Sequence, residues 1–263
     1  MIHEGRETIC VSSQVGCALD CDFCLTARMG FVRHLEPGEI VGQVALAWLD
    51  RGLEPPCNVV FMGMGEPLHN YDRVMDAVRL LVDEAGFALS RRRLTVSTSG
   101  LVPAILRLAD EPVRPRLAVS LNATTDAVRD RLMPINTKYP IGALVDAARS
   151  YVETTGERIT FEYVLLDGVN DSVDDVPRLA RLARRVKAKV NLIPHNTVED
   201  WLDYGPPPDE RIIGFRDRLL ALHVPVSVRW SKGRDARAAC GQLAVLGDNP
   251  RRRSKRPRPG STP

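Results

Sequence analysis

Three of the six cysteines stand at Cys17, Cys21 and Cys24, spaced Cys-x3-Cys-x2-Cys just after the short apolar run Ile9-Cys10-Val11. A loop with this spacing can wrap three sulfurs around one corner of a cubane cluster. A [4Fe–4S] cube normally takes four cysteine thiolates, so three close thiols with no obvious fourth leave one iron open to a non-protein ligand. Two plainer readings compete: three ordinary core thiols, or a zinc site short of one ligand. Zinc is usually closed by paired Cys-x2-Cys or Cys/His ends, and the sequence offers no second pair.

An open iron needs a chelating ligand, and the amino and carboxylate groups of S-adenosylmethionine (SAM) would serve. Gly65-Glu66 offers close backbone approach and a carboxylate for the ammonium. Ser97, Ser120, Asn122 and Asn196 are short hydrogen-bonding residues suited to ribose and carboxylate. Each of these alone reads equally as a turn or cap residue. Their recurrence after apolar runs is what points to a ligand.

The elements that must position them alternate. Short β-branched runs at Ile9–Ser12, Asn58–Met62, Leu94–Ser97, Leu117–Leu121, Ile159–Leu165, Val190–Ile193 and Val226–Arg229 read as strands. Helical patterns lie between them at Pro37–Arg51, Tyr71–Ala85, Pro103–Asp110, Ile141–Thr154, Val173–Lys187 and Asp209–Leu222. Pro37 suits a first helical turn, and Ile40, Val44 and Trp48 share a face. The helix begun by Asp174-Asp175 ends in Arg184, Arg185 and Lys187, which matches the helix dipole. Repeated strand–helix alternation implies an α/β fold with a parallel sheet, here a partial (β/α)6-type TIM barrel. In such barrels chemistry gathers at the C-terminal strand ends, and the polar motifs of this chain follow its strands.

At 263 residues the chain suits one large domain, and its 44% hydrophobic and 26% charged content is ordinary for a globular protein. No apolar run approaches a membrane span and the N-terminus has no apolar signal core, so a cytoplasmic location is expected. The cysteines then read as ligands or reactive thiols rather than a disulfide scaffold. The net charge of +3 misleads: six of the 36 basic residues fall in 251–258, leaving 30 basic against 33 acidic residues in the body. Residues 1–247 are expected to form the core domain and 248–263 a disordered basic tail. That tail is either a nonspecific RNA contact or only a solvated end.

The motifs together resemble a known family. They are Cys10-Val-Ser-Ser-Gln-Val-Gly-Cys17-Ala-Leu-Asp-Cys21-Asp-Phe-Cys24, Gly63-Met-Gly-Glu-Pro-Leu68, Ser97-Thr-Ser-Gly100, Leu132-Met-Pro-Ile-Asn136, Phe161-Glu-Tyr-Val-Leu165, Asn191-Leu-Ile-Pro194 and Ala238-Ala-Cys-Gly-Gln-Leu243. In this order they resemble the RlmN/Cfr family of radical SAM RNA adenine methyltransferases, over about residues 5–246. The resemblance implies a radical SAM core whose [4Fe–4S] cluster is held by Cys17, Cys21 and Cys24. It implies SAM contacts from Gly65, Glu66, Ser97, Ser120, Leu121, Asn122 and Asn196. It also implies rRNA or tRNA as substrate, and an external electron donor such as flavodoxin or ferredoxin.

By the same resemblance Cys240 is the methyl-carrying thiol. Cys10 resolves the covalent enzyme–RNA adduct by forming a disulfide with Cys240. The adenine C2 carbon is electron-poor and cannot attack the methyl of SAM directly. The family first methylates the cysteine from one SAM. It then uses a radical from a second SAM to activate that methyl group, so one difficult step becomes several feasible ones. Cys57 matches no motif and is expected to be a buried structural thiol.

Three departures from the family pattern stand out. Only nine residues precede Cys10, where the family carries a helical RNA-gripping domain and a glutamate proton acceptor; Glu4 and Glu7 are the acids present. Asn122 stands where histidine is frequent, and His195 where an aromatic residue is common, with a packing role expected for His195. Arg91–Arg93 are a candidate phosphate contact and the basic run from Arg178 to Lys189 a solvated face. Adenine C2 methylation of 23S rRNA and tRNA is the leading reading. Its rivals are C8 methylation, a peptide or small-molecule acceptor, and an iron–sulfur module without catalysis.

Overall fold

The computed structural model describes residues 2–3, 6–51, 57–197 and 203–230. Cys240, Glu4 and the basic tail lie outside the described residues. The strands are β1 (Ile2–His3), β2 (Arg6–Cys10), β3 (Gln14–Gly16), β4 (Phe31–His34), β5 (Asn58–Phe61), β6 (Leu94–Thr98), β7 (Arg116–Ser120), β8 (Thr160–Leu165), β9 (Lys189–Pro194) and β10 (Val226–Val228). The helices are α1 (Leu25–Arg28), α2 (Pro37–Arg51), α3 (Tyr71–Val82), α4 (Val102–Ala109), α5 (Asp126–Leu132), α6 (Ile141–Thr155), α7 (Asp175–Val186) and α8 (Asp209–Ala221).

One sheet runs in the order β1-β2-β5-β6-β7-β8-β9-β10. Apart from the antiparallel β1, every neighbouring pair is parallel, so seven strands curl into the half-barrel expected from the alternation. Apolar residues such as Val59, Val96, Val119 and Phe161 are buried to 1% or less, as strands covered by helices must be. On α2, Ile40 and Val44 are fully buried. Trp48 on the same face packs on the core, and its indole N–H donates to Cys57 Sγ at 3.1 Å. Cys57 is accordingly the buried thiol that the sequence suggests. Helix α6 stops at Gly156, whose φ of 67° is the left-handed cap conformation.

The register fixes which side chains face the barrel interior. Cys10 lies opposite Val60, Val60 opposite Thr95, Ser97 opposite Ala118, and Ser120 opposite Glu162. Because side chains alternate along each strand, Cys10, Ser97, Ser120 and Glu162 share one face of the sheet. Four features escape the sequence pattern: the edge strand β1, the two-stranded β3–β4 sheet and the short helices α1 and α5. Each is too short for a period to show, and β4 has no buried residue.

Candidate active site

The interior face opens at the C-terminal strand ends into a cavity of about 980 Å³, its open mouth included. Cys17, Cys21 and Cys24 line it together with Gly65, Glu66, Ser97, Ser120, Asn122 and Asn196. Residues scattered over 180 positions of sequence thus meet because seven parallel strands end at one rim. Two expected contacts are placed differently. Leu121 is fully buried and is not among the lining residues; its carbonyl accepts from Arg129 instead. Cys10 shares the interior face but is not a lining residue either. None of the described cysteines forms a disulfide.

The cluster loop is held at three points. Cys17 N–H donates to Gly30 O at 3.1 Å, Asp22 N–H to Leu132 O at 2.9 Å, and Cys24 N–H to Cys21 O at 3.1 Å. The Asp22 carboxylate takes Arg28 at 2.7 Å and the Tyr204 hydroxyl at 2.6 Å. Burial pushes the Cys17 thiol up to about 12 and Cys21 well above the ordinary thiol value, with Glu66 and the neighbouring thiols adding to the shift. A site that itself opposes thiolate formation fits soft thiolate ligands whose charge is offset by bound iron.

Glu66 is almost wholly buried, which raises its pKa. Its oxygens accept backbone N–H groups from Leu68 at 3.1 Å and Ser99 at 2.7 Å. The carboxylate therefore ties the turn after β5 to the end of β6 while it lines the cavity. Asn122 takes a left-handed φ of 56°, a conformation asparagine tolerates. Its Oδ1 accepts from Val164 N–H at 2.9 Å, joining β7 to β8. The hydroxyls of Ser97 and Ser120 face each other at 3.5 Å.

His195 is buried, with Nε2 3.2 Å from Phe23 O and Nδ1 without a hydrogen-bond partner among the described residues. It packs between β9 and the cluster loop, as expected, and is also among the residues that line the cavity. Three thiols, a buried carboxylate and short hydrogen-bonding side chains around one cavity fit an iron–sulfur cluster and a polar ligand.

Other expected contacts fall elsewhere. Arg91–Arg93 form a turn before β6, at the strand ends opposite the cavity, and Arg91 pairs with Glu157. Glu7 lies within β2, paired opposite Ile2, and does not line the cavity. From the basic run on α7, Arg178 and Arg185 pair with Asp175 and Asp146. The structure adds residues that sequence reasoning passed over: Gln14, Arg129 and Asn170, which brace the site, and Glu162, which lines it. The available signals were position alone: Gln14 three residues before Cys17, and Asn170 five residues beyond β8.

Residues 11–183 match the family model of the radical SAM superfamily. The chain is 53% identical to the dual-specificity RNA methyltransferase RlmN of Anaeromyxobacter sp. (strain Fw109-5), covering 96% of this chain and 69% of that protein. It belongs to the RlmN family within the radical SAM superfamily. The RlmN of Geobacter sulfurreducens is 50% identical over 92% of this chain and 66% of its own length. A radical SAM methyltransferase from Sphaerobacter thermophilus superposes with a TM-score of 0.88 at 51% identity, covering 92% of this chain and 71% of that one. The SAM-bound SuiB of Streptococcus suis, at 13% identity and a TM-score of 0.65, shares the fold. The chain is thus a radical SAM methyltransferase, and family membership implies a [4Fe–4S] cluster and SAM as its cofactors.

Proposed function

We propose that this chain is a dual-specificity RNA methyltransferase that methylates C2 of adenine in 23S rRNA and tRNA through a methylated cysteine. One observation carries the reading. In a chain about half identical to RlmN proteins, three thiols and Glu66 converge on a cavity at the C-terminal rim of the half-barrel. Cys17, Cys21 and Cys24 would hold the cluster, and Glu66, Ser97, Ser120, Asn122 and Asn196 would hold SAM. The cluster, reduced by an external donor such as flavodoxin or ferredoxin, supplies the one-electron cleavage of SAM that starts radical chemistry.

The chain's own residues do the rest. Cys240 would take a methyl group by displacement and present it to the adenine ring. In the resulting enzyme–RNA adduct Cys10, on the interior face of β2, would then attack the Cys240 sulfur. The S–S bond forms as the bond from that sulfur to the methylene carbon breaks, and the freed carbon takes a proton to leave as the methylated base. A target base must leave its stack to reach such a site. No helix among the described residues is long and apolar enough to cross a membrane, which fits the cytoplasmic setting where these RNAs are found.

The test reconstitutes the cluster anaerobically and supplies methyl-labelled SAM, a reductant and rRNA or tRNA. The digested RNA and the protein are then analysed by mass spectrometry. Label in 2-methyladenosine and on Cys240 is expected. Label on Cys240 with none in RNA would point to another acceptor, and 8-methyladenosine would change the regiochemistry. The absence of both SAM cleavage and protein label would overturn the reading.

A further inference from the structure

Beyond its hydrogen bonds, the site as described makes no use of the charge of Arg129, the largest side chain with no exposure among the described residues. From α5 its guanidinium donates to Leu121 O at 2.9 Å and Asn136 Oδ1 at 3.0 Å. It also donates to Ser99 O at 2.7 Å and Ser120 O at 3.1 Å. All four acceptors are neutral, and Arg129 makes no ion pair among the described residues. The nearest acids act at one remove, with Asn136 Nδ2 donating to Asp126 at 3.0 Å and Asp130 at 2.6 Å. A cation taken out of water without a counter-charge is strongly unfavourable. Burial indeed draws the Arg129 pKa down to about 10.

Its position suggests where the missing negative charge belongs. Ser99 and Ser120, whose carbonyls it holds, both line the cavity. Leu132, at the end of the same helix, accepts the Asp22 N–H of the cluster loop at 2.9 Å. Cys21 packs against the group formed by Leu132 and Met133. Arg129 therefore stands directly behind the wall that carries the thiols. A [4Fe–4S] core with three thiolates bears a single formal negative charge when oxidised and a double one when reduced.

We propose that Arg129 is the buried counter-charge of the cluster site, a positioning residue whose fixed positive charge favours the reduced cluster and raises the potential at which it accepts an electron. In that step a one-electron donor protein loses one electron and the cluster gains it; no bond or proton changes hands. The inference rests on the reading of the three thiols as cluster ligands. A purely mechanical brace would hold the same carbonyls but would not act through its charge.

The experiment is a potentiometric titration of the reconstituted protein, followed by electron paramagnetic resonance of the reduced cluster. Wild type is compared with Arg129→Lys, Arg129→Gln and Arg129→Met. At a fixed potential the neutral variants should show a reduced-to-oxidised ratio lower by about tenfold, which is about 59 mV for a one-electron couple. Arg129→Lys should stay near wild type. If neither neutral variant holds a cluster while the lysine variant does, charge is again the deciding property. An unchanged potential in either neutral variant overturns the proposal, as does a lysine variant that shifts, or loses its cluster, as the neutral ones do. Wild-type protein that binds no four-iron cluster would instead refute the reading of the thiols, visible in iron content before any titration.

Discussion

Gln14 Oε1 accepts the backbone N–H of Glu66 at 2.9 Å, and both residues are buried. The bond spans 52 positions of sequence and locks the strand that leads into the cluster loop to the Gly65-Glu66 turn. The other end of the same amide lies 3.0 Å from His34 Nδ1 and 3.3 Å from His69 Nδ1. One side chain thus sets the separation between the thiols and the buried carboxylate.

Removing it should loosen the cofactor site more than the fold. Gln14→Ala leaves the Glu66 N–H orphaned in a buried place, a loss of about 1–3 kcal/mol. Iron content should be retained, because the side-chain hydrogen bonds of Gln14 among the described residues involve Glu66, His34 and His69 rather than a thiol. SAM affinity, measured by equilibrium dialysis on the reconstituted protein, should fall by about tenfold or more. Unchanged affinity would show that the Glu66 turn holds its shape without this bond.

Gly65 shares the same contact from the other side. Its φ is +100°, and an added Cβ would stand 2.5 Å from Gln14 Cβ and 2.7 Å from Gln14 Cγ. Gly65→Ala therefore meets both a backbone penalty and a clash with a buried side chain, together about 2–4 kcal/mol. The expected result is a lower unfolding midpoint in denaturant and weakened SAM binding. Gly156→Ala is the control. It also has a positive φ, of 67°, but nothing lies within 4 Å of its added Cβ, so it should lower stability by the smaller amount and leave binding alone.

Those two residues also show what the sequence made legible and what it hid. The half-barrel could be read because each strand is an apolar run and each helix a longer, phased one. Glu66, Ser97 and Ser120 could be read because polar residues recur at the ends of apolar runs, where the strands meet the rim. Leu121 was carried along with its motif, but the strand alternation turns its side chain into the core. Gln14 and Arg129 gave no such signal. Gln14 reads as a loop residue because β3 is only three residues long. Arg129 sits in Asp126-Ala-Val-Arg-Asp-Arg-Leu132, which looks like an exposed charged helix until the fold buries one guanidinium of the two.

Asn170 is a further brace. Its Nδ2 donates to Asn122 O at 2.8 Å and Val164 O at 2.7 Å, and its Oδ1 accepts Leu166 N–H at 2.8 Å. It is 1% exposed, so Asn170→Ala leaves two carbonyls and one N–H unpartnered in the interior. A destabilisation of about 2–5 kcal/mol is expected. Asn170→Asp keeps Oδ1 but loses both donations and should be at least as harmful. Denaturant unfolding of the two variants measures this; losses well under 1 kcal/mol would mean that water replaces the side chain.

Asp175 gives a prediction in pH. It is 6% exposed at the start of α7. Burial pushes its pKa up, but hydrogen bonds from Ser172, Thr124 and Arg178 outweigh that, so the net shift is below the ordinary 3.8. Arg178 Nη2 stands 2.9 Å from Oδ1, and Ser172 N–H donates to Oδ2 at 3.2 Å. A depressed carboxylate pKa stabilises the fold at every pH above the unfolded value. That contribution is lost as pH falls through the folded one. Asp175→Asn should therefore lower stability at neutral pH by about 1–3 kcal/mol. The gap between wild type and variant should stay constant down to about pH 4 and close progressively below it. Denaturant unfolding of both proteins across that range is the measurement. A gap that is already closed at neutral pH would mean that the three donors merely offset the burial of the charge. A gap that persists unchanged into acid would assign the loss to the geometry of the amide rather than to the ionised carboxylate.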